Sequence, residues 1–133
     1  MSRVQLALNV TNLESAVDFY TKLFDAPPSK VRPGYANWAL AEPPLKLVLV
    51  ESAEGGTLNH LGVEVASPTE VSATTTRLAE EGLDTKVEDD VTCCYATMDK
   101  VWVKDPDGAP WEVYTVTDDN PAPAAEVCGP GCC

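Results

Sequence analysis

The chain has 133 residues, 44% hydrophobic and 23% charged, which is one domain's worth of polypeptide and enough to bury a core without disulfide staples. Its formal net charge of −12 repels phosphate backbones and anionic lipid, which argues against nucleic-acid and membrane partners. It has no apolar run of the length that spans a bilayer, and Met1–Gln5 lacks the apolar stretch of a signal peptide, so a cytoplasmic location is expected.

Taken in chain order, the elements read as a repeat. Val4–Val10 is a short β-forming segment, and it lays over Asn59–Val65 with apolar residues at matching places and Gln5 on His60. Asn12 can N-cap a helix over Leu13–Phe24, where Leu13, Ala16, Val17, Tyr20, Leu23 and Phe24 recur at helical spacing. Strands follow near Ser29–Val31, Tyr35–Ala41 and Leu45–Glu51. The second half repeats the order. Ser67 caps a helix over Pro68–Glu81, with Pro68 at its first position, Gly82 past its end and an apolar stripe of Val71, Leu78 and Ala79. Strands are expected near Thr85–Glu88, Lys100–Lys104 and Trp111–Val116, the last two separated by the turn Asp105-Pro106-Asp107-Gly108. The expected organisation is one α+β domain over residues 1–117, with βαβββ modules at about 1–52 and 58–117 and a loose, cysteine-containing tail over 118–133.

Five cysteines need a reason. Their odd number, the adjacent Cys93-Cys94 and the three in Cys128-Gly129-Pro130-Gly131-Cys132-Cys133 do not suit a disulfide framework. Reduced thiols in a reducing compartment fit better, and binding a soft metal or metalloid is their natural use. Adjacent side chains on a strand point to opposite faces, so Cys93 and Cys94 can share one ion only if residues 89–97 form a loop or bulge, expected to be mobile. Glu88, Asp89 and Asp90 would raise the thiol pKa values, and Lys86 and Lys100 would offset this. The plain alternative is two ordinary reduced cysteines. The terminal thiols either wrap a soft ion, as accessory ligands, or form a disordered end that oxidises. Glu112 is notable between Trp111 and Val113, because a carboxylate buried in an apolar strand costs several kcal/mol unless it is paired or metal-bound.

The opening strand into Asn12-Leu13-Glu14-Ser15-Ala16-Val17-Asp18-Phe19-Tyr20, the strand Asn59-His60-Leu61-Gly62-Val63, and Asp105-Pro106-Asp107-Gly108 leading to Trp111-Glu112-Val113-Tyr114 resemble the vicinal oxygen chelate superfamily over roughly residues 3–117. The resemblance implies two βαβββ modules forming a cupped mixed sheet around a central metal, with ligands at Gln5, His60 and Glu112. Val31–Ala39, Glu42–Leu49 and Thr92-Cys93-Cys94-Tyr95-Ala96 sharpen it to the ArsI-type carbon–arsenic lyases and the related cadmium-induced CadI proteins. That family is described as Fe(II)- and O2-dependent and removes methyl or aryl groups from trivalent organoarsenicals. It implies that Cys93 and Cys94 hold the arsenic of the substrate.

One imidazole, one carboxylate and one amide oxygen make a fairly hard donor set that suits Fe(II) with open positions, and Ni, Co, Mn or Zn can substitute in vitro. Leu47, placed by the repeat at about the position of Glu112, cannot coordinate, which leaves three protein ligands. Trp38 and Tyr35 read as core or cavity wall within reach of an aryl arsenical, and Tyr95 and Tyr114 as pocket lining. Two rival functions remain: sequestration of cadmium or arsenite by thiols without turnover, and another reaction of the superfamily such as glyoxalase chemistry or thiol transfer. The partners expected are a trivalent organoarsenical and O2, with a homodimer compatible with the sequence.

Overall fold

The computed structural model describes residues 2–93 and 95–120, and of Cys93 the backbone only. Cys94 and the cysteines at 128, 132 and 133 lie outside the described residues. The fold is α+β and consists of two βαβββ modules. In chain order the elements are β1 (Arg3–Val10), α1 (Leu13–Phe24), β2 (Lys30–Arg32), β3 (Tyr35–Leu40), β4 (Leu45–Glu51), β5 (Thr57–Glu64), α2 (Pro68–Glu80), β6 (Lys86–Cys93), β7 (Ala96–Lys104) and β8 (Pro110–Asp118). By contacts the chain divides into two compact units. One is Val4–Asn59, and the other takes in Arg3 and the described residues from His60 on.

In the first unit the strand order is β2-β3-β4-β1, antiparallel except for the parallel β4/β1 pair. Asn12 caps α1 by accepting from Ser15 N at 2.9 Å, and Leu13 N donates to the Glu51 carboxylate, which ties the helix start to β4. Leu13, Ala16, Val17, Tyr20 and Phe24 pack on Leu6, Leu8, Ala36, Trp38, Leu47 and Leu49. Leu23 does not join them. It projects from the outer side of the helix and is 58% exposed. The opposite face of the same strands carries Gln5, Ala7, Tyr35, Asn37, Lys46 and Val48, and all are buried. Burial on both faces explains why β3 and β4 read as near-continuous buried runs.

The second unit repeats the scheme as β5-β8-β7-β6, with β5/β8 parallel and the other pairs antiparallel. Ser67 caps α2 through Glu70 N, and Val71 and Leu78 are its buried residues, while Ala79 stays exposed. The Asp105–Gly108 turn is self-stapled. Asp105 Oδ1 accepts from Asp107 N and Ala109 N, at 2.9 and 2.8 Å, and Gly108 takes φ +87°. This turn sets the β7/β8 register and places Trp102 opposite Glu112 and Lys100 opposite Tyr114.

One expectation is corrected and another is made specific. The ladders pair Gly62 with Glu112 and Ala7 with Val48, so the repeat counterpart of Glu112 is Val48 and not Leu47. A slip of one residue exchanges faces, and Leu47 belongs to the core beneath α1. Val48 is equally unable to coordinate a metal. Of the loop or bulge expected over 89–97, the described residues show the bulge, set within paired strands. β6 and β7 extend into a hairpin that pairs Cys93 with Ala96, and the irregularity is a one-residue register shift between Glu88 and Val91, with Asp90 at φ +54°. Asp90 N donates to Asp99 Oδ1 across this bulge at 2.7 Å.

Candidate metal centre

The second unit brings together groups that the sequence holds far apart. β5 carries His60, β7 carries Lys100 and Trp102, and β8 carries Glu112, all on one face of the sheet by the ladder register. His60 Nε2 lies 2.7 Å from Glu112 Oε2, and Lys100 Nζ lies 2.9 Å from Glu112 Oε1. His60 and Lys100 are wholly buried and Glu112 is 2% exposed. The Trp102 ring meets the His60 ring edge-on at 5.4 Å between centres, lies under Lys100 Nζ at 5.2 Å, and donates from Nε1 to Glu88 Oε1 at 2.9 Å. Burial alone would push the Glu112 carboxyl up, but the His60 hydrogen bond and the Lys100 charge outweigh it and hold it below the ordinary carboxylate range. The carboxylate is therefore ionised and can only accept, so Nε2 is the protonated nitrogen of His60 in the metal-free protein.

A family model described as the Glyoxalase/Bleomycin resistance protein/Dioxygenase superfamily matches residues 3–113. The chain belongs to this superfamily. A cadmium-induced protein CadI from Mycobacterium tuberculosis is 62% identical over 121 residues, covering 90% of this chain and 80% of that protein. A trivalent organoarsenical cleaving enzyme from Thermomonospora curvata is 59% identical over the same shares. Among solved structures, homoprotocatechuate 2,3-dioxygenase from Arthrobacter globiformis superposes with a TM-score of 0.65 at 23% identity, over 86% of this chain and 35% of that one, a likeness of fold.

The donors of this superfamily member fit a metal ion. An ion bonded at about 2.1 Å to an imidazole nitrogen and a carboxylate oxygen at right angles holds them about 3 Å apart. The 2.7 Å between Nε2 and Oε2 needs little opening, and the ion would take the place of the shared proton. No group of three or more His, Cys, Asp or Glu gathers among the described residues. The third expected donor is an amide, that of Gln5, which is buried in β1 at 4% exposure.

The other expected site residues are distributed unevenly. Tyr114 is buried on the same face as Glu112, and Tyr95 is half-buried at φ +66° beside the hairpin tip. Trp38 is not cavity wall. It lies in the core beneath α1, against Tyr20, with Nε1 donating to Ala26 O, because its position in β3 alternates with Tyr35 and Asn37 on the opposite face. Tyr35 is on that other face, where Asn37 Nδ2 donates to its hydroxyl at 2.9 Å. Cys93 pairs with Ala96, and the row from Ala96 through Met98 to Lys100 puts about 13 Å of strand between that rung and the ion-paired lysine. No helix among the described residues is long and apolar enough to cross a membrane.

Sequence reasoning missed Lys100 and Trp102 as members of the site. In Lys100-Val101-Trp102-Val103-Lys104 the valines alternate with polar or amphipathic residues, which reads as core against solvent. Val101 is fully buried, but so is Lys100 on the other face, with Trp102 half-buried beside it. The signal that was available was placement: Lys100 and Trp102 stand on the strand joined to that of Glu112 by a tight turn.

Proposed function

We propose that this chain is an Fe(II)- and O2-dependent carbon–arsenic lyase that degrades trivalent organoarsenicals such as methylarsenite and aryl arsenicals to arsenite. The observation that carries the reading is a buried imidazole–carboxylate pair in a chain 59% identical, over nine-tenths of its length, to a protein named a trivalent organoarsenical cleaving enzyme. Gln5, His60 and Glu112 would hold the metal, and bound Fe(II) would supply the activation of dioxygen. His60 would offer Nε2 to the metal, and Glu112 would contribute a carboxylate that its neighbours already hold ionised. Cys93 and Cys94 hold the arsenic through two of its three bonds, leaving the organic group as the third. Burial of the His60–Glu112 pair keeps bulk water from the reacting centre. The stoichiometry closes, since methylarsenite and dioxygen together contain the atoms of arsenite and formaldehyde.

A second reading has its own support in the 62% identity to a cadmium-induced protein: thiol-based sequestration of cadmium or arsenite without turnover. One experiment separates the two. The protein is reconstituted anaerobically with Fe(II), then given air and methylarsenite, and arsenite and formaldehyde are followed. Many turnovers, lost in Glu112→Ala and in Cys94→Ser, support the lyase. Iron-loaded protein that binds the arsenical tightly and releases no arsenite sinks the lyase reading and leaves the sequestering one.

A further inference from the structure

The proposed ligand set leaves Lys100 without a function, although it is one of the most deeply buried side chains in the protein. A buried ammonium persists only beside a counter-charge. Here the counter-charge is Glu112, and the geometry divides the carboxylate between two neighbours: Oε2 faces His60 Nε2 and Oε1 faces Lys100 Nζ. The arrangement is braced. Lys100 and Trp102 stand on one row of β7, opposite Tyr114 and Glu112, and the Trp102 ring that lies under the ammonium is tied to Glu88.

We propose that Lys100 is a positioning residue of the metal centre. It occupies Glu112 Oε1, restricts the carboxylate to one-oxygen ligation through Oε2, and restores the positive charge that the carboxylate removes, so that the centre selects an anionic exogenous ligand such as a thiolate. The inference rests on the metal-centre reading above. Its consequences differ in sign. The ammonium repels a divalent cation, so its removal tightens metal binding. The same ammonium attracts an anion seated on the metal, so its removal weakens that anion. A side chain that merely filled space would not separate the two effects.

The test uses Co(II) as the probe metal, titrated anaerobically into the metal-free full chain and followed by visible absorption, and then azide titrated into the Co(II) protein. Lys100→Met is expected to bind Co(II) about tenfold more tightly and azide about tenfold more weakly. Lys100→Arg keeps the charge and is expected to retain azide affinity to within about threefold. Should Lys100→Met not fold, the wild type carries the test. With 13C-labelled glutamate, its infrared difference spectrum on metal loading is expected to show the wide carboxylate splitting of one-oxygen ligation. A narrow, chelate-type splitting, or unchanged azide affinity in folded Lys100→Met, overturns the inference while leaving the metal centre intact. Failure of the wild type to bind Co(II) removes the metal-centre reading and this inference with it.

Discussion

Replacing Glu112 by Gln in the metal-free protein isolates the electrostatics of the site from its chemistry. Glutamine keeps the shape and one oxygen but removes the charge that pairs with Lys100 at 2.9 Å, where both groups are essentially excluded from water. Breaking a buried ion pair by neutralising one member costs about 3–5 kcal/mol. The retained amide oxygen still accepts a hydrogen bond, which puts the expected loss at the lower end, about 3 kcal/mol. With a urea m-value of about 1.5 kcal/mol/M, the unfolding midpoint should fall by about 2 M in EDTA, read by far-ultraviolet circular dichroism. Lys100→Met alone should cost a similar amount, because it leaves the carboxylate buried beside His60 only. The double variant Glu112→Gln/Lys100→Met removes both charges and should cost less than the sum of the singles by about 2 kcal/mol. Additive losses, or a midpoint shift in Glu112→Gln below about 0.3 M, would refute the claim that the pair is buried and mutually dependent.

Three further outcomes follow from the same geometry. The folded-state pKa of Glu112 is lowered, so its ion pairs stabilise the metal-free fold fully above the unfolded value of about 4.3 and lose that contribution as pH falls through the lower folded value. The stability gap between wild type and Glu112→Gln should therefore be widest near neutral pH and close in acid, and a gap that widens on acidification would contradict the assignment. Trp38→Ala should cost about 3–5 kcal/mol in thermal or urea unfolding, since the ring is fully buried beneath α1, while Co(II) affinity of the folded variant stays within about twofold. Asp105→Ala removes the acceptor of two backbone N–H groups in the β7–β8 turn and should lower stability by about 1–2 kcal/mol, read as a drop in melting temperature.

Much of the architecture was legible because local chemistry and tertiary demand agree. Asn12 and Ser67 cap the helices they precede, Gly82 follows α2 at φ +84°, and the Asp105–Gly108 turn has the residues that its hydrogen bonds require. His60 and Glu112 were recognisable as a pair only through the repeat and the family resemblance, since 52 positions separate them. The extension of β6 and β7 past Glu88 and Lys100 was not legible, because the need to turn Cys93 and Cys94 to one side argues for an irregularity without saying where it falls, and ladder pairing places it as a one-residue bulge between Glu88 and Val91.

The sequence by itself determined the module order and the helix limits, because caps, turns and apolar periodicity act over a few residues, while the candidate ligands Gln5, His60 and Glu112 came from the repeat and the family resemblance. Only the tertiary structure decided which strand face is the site. Alternation in a strand marks two faces but does not say whether the polar one meets water or a buried centre. Across β5, β7 and β8 the ladder register decided it, by stacking His60, Lys100, Trp102 and Glu112 on one buried face and making Lys100 the partner of Glu112.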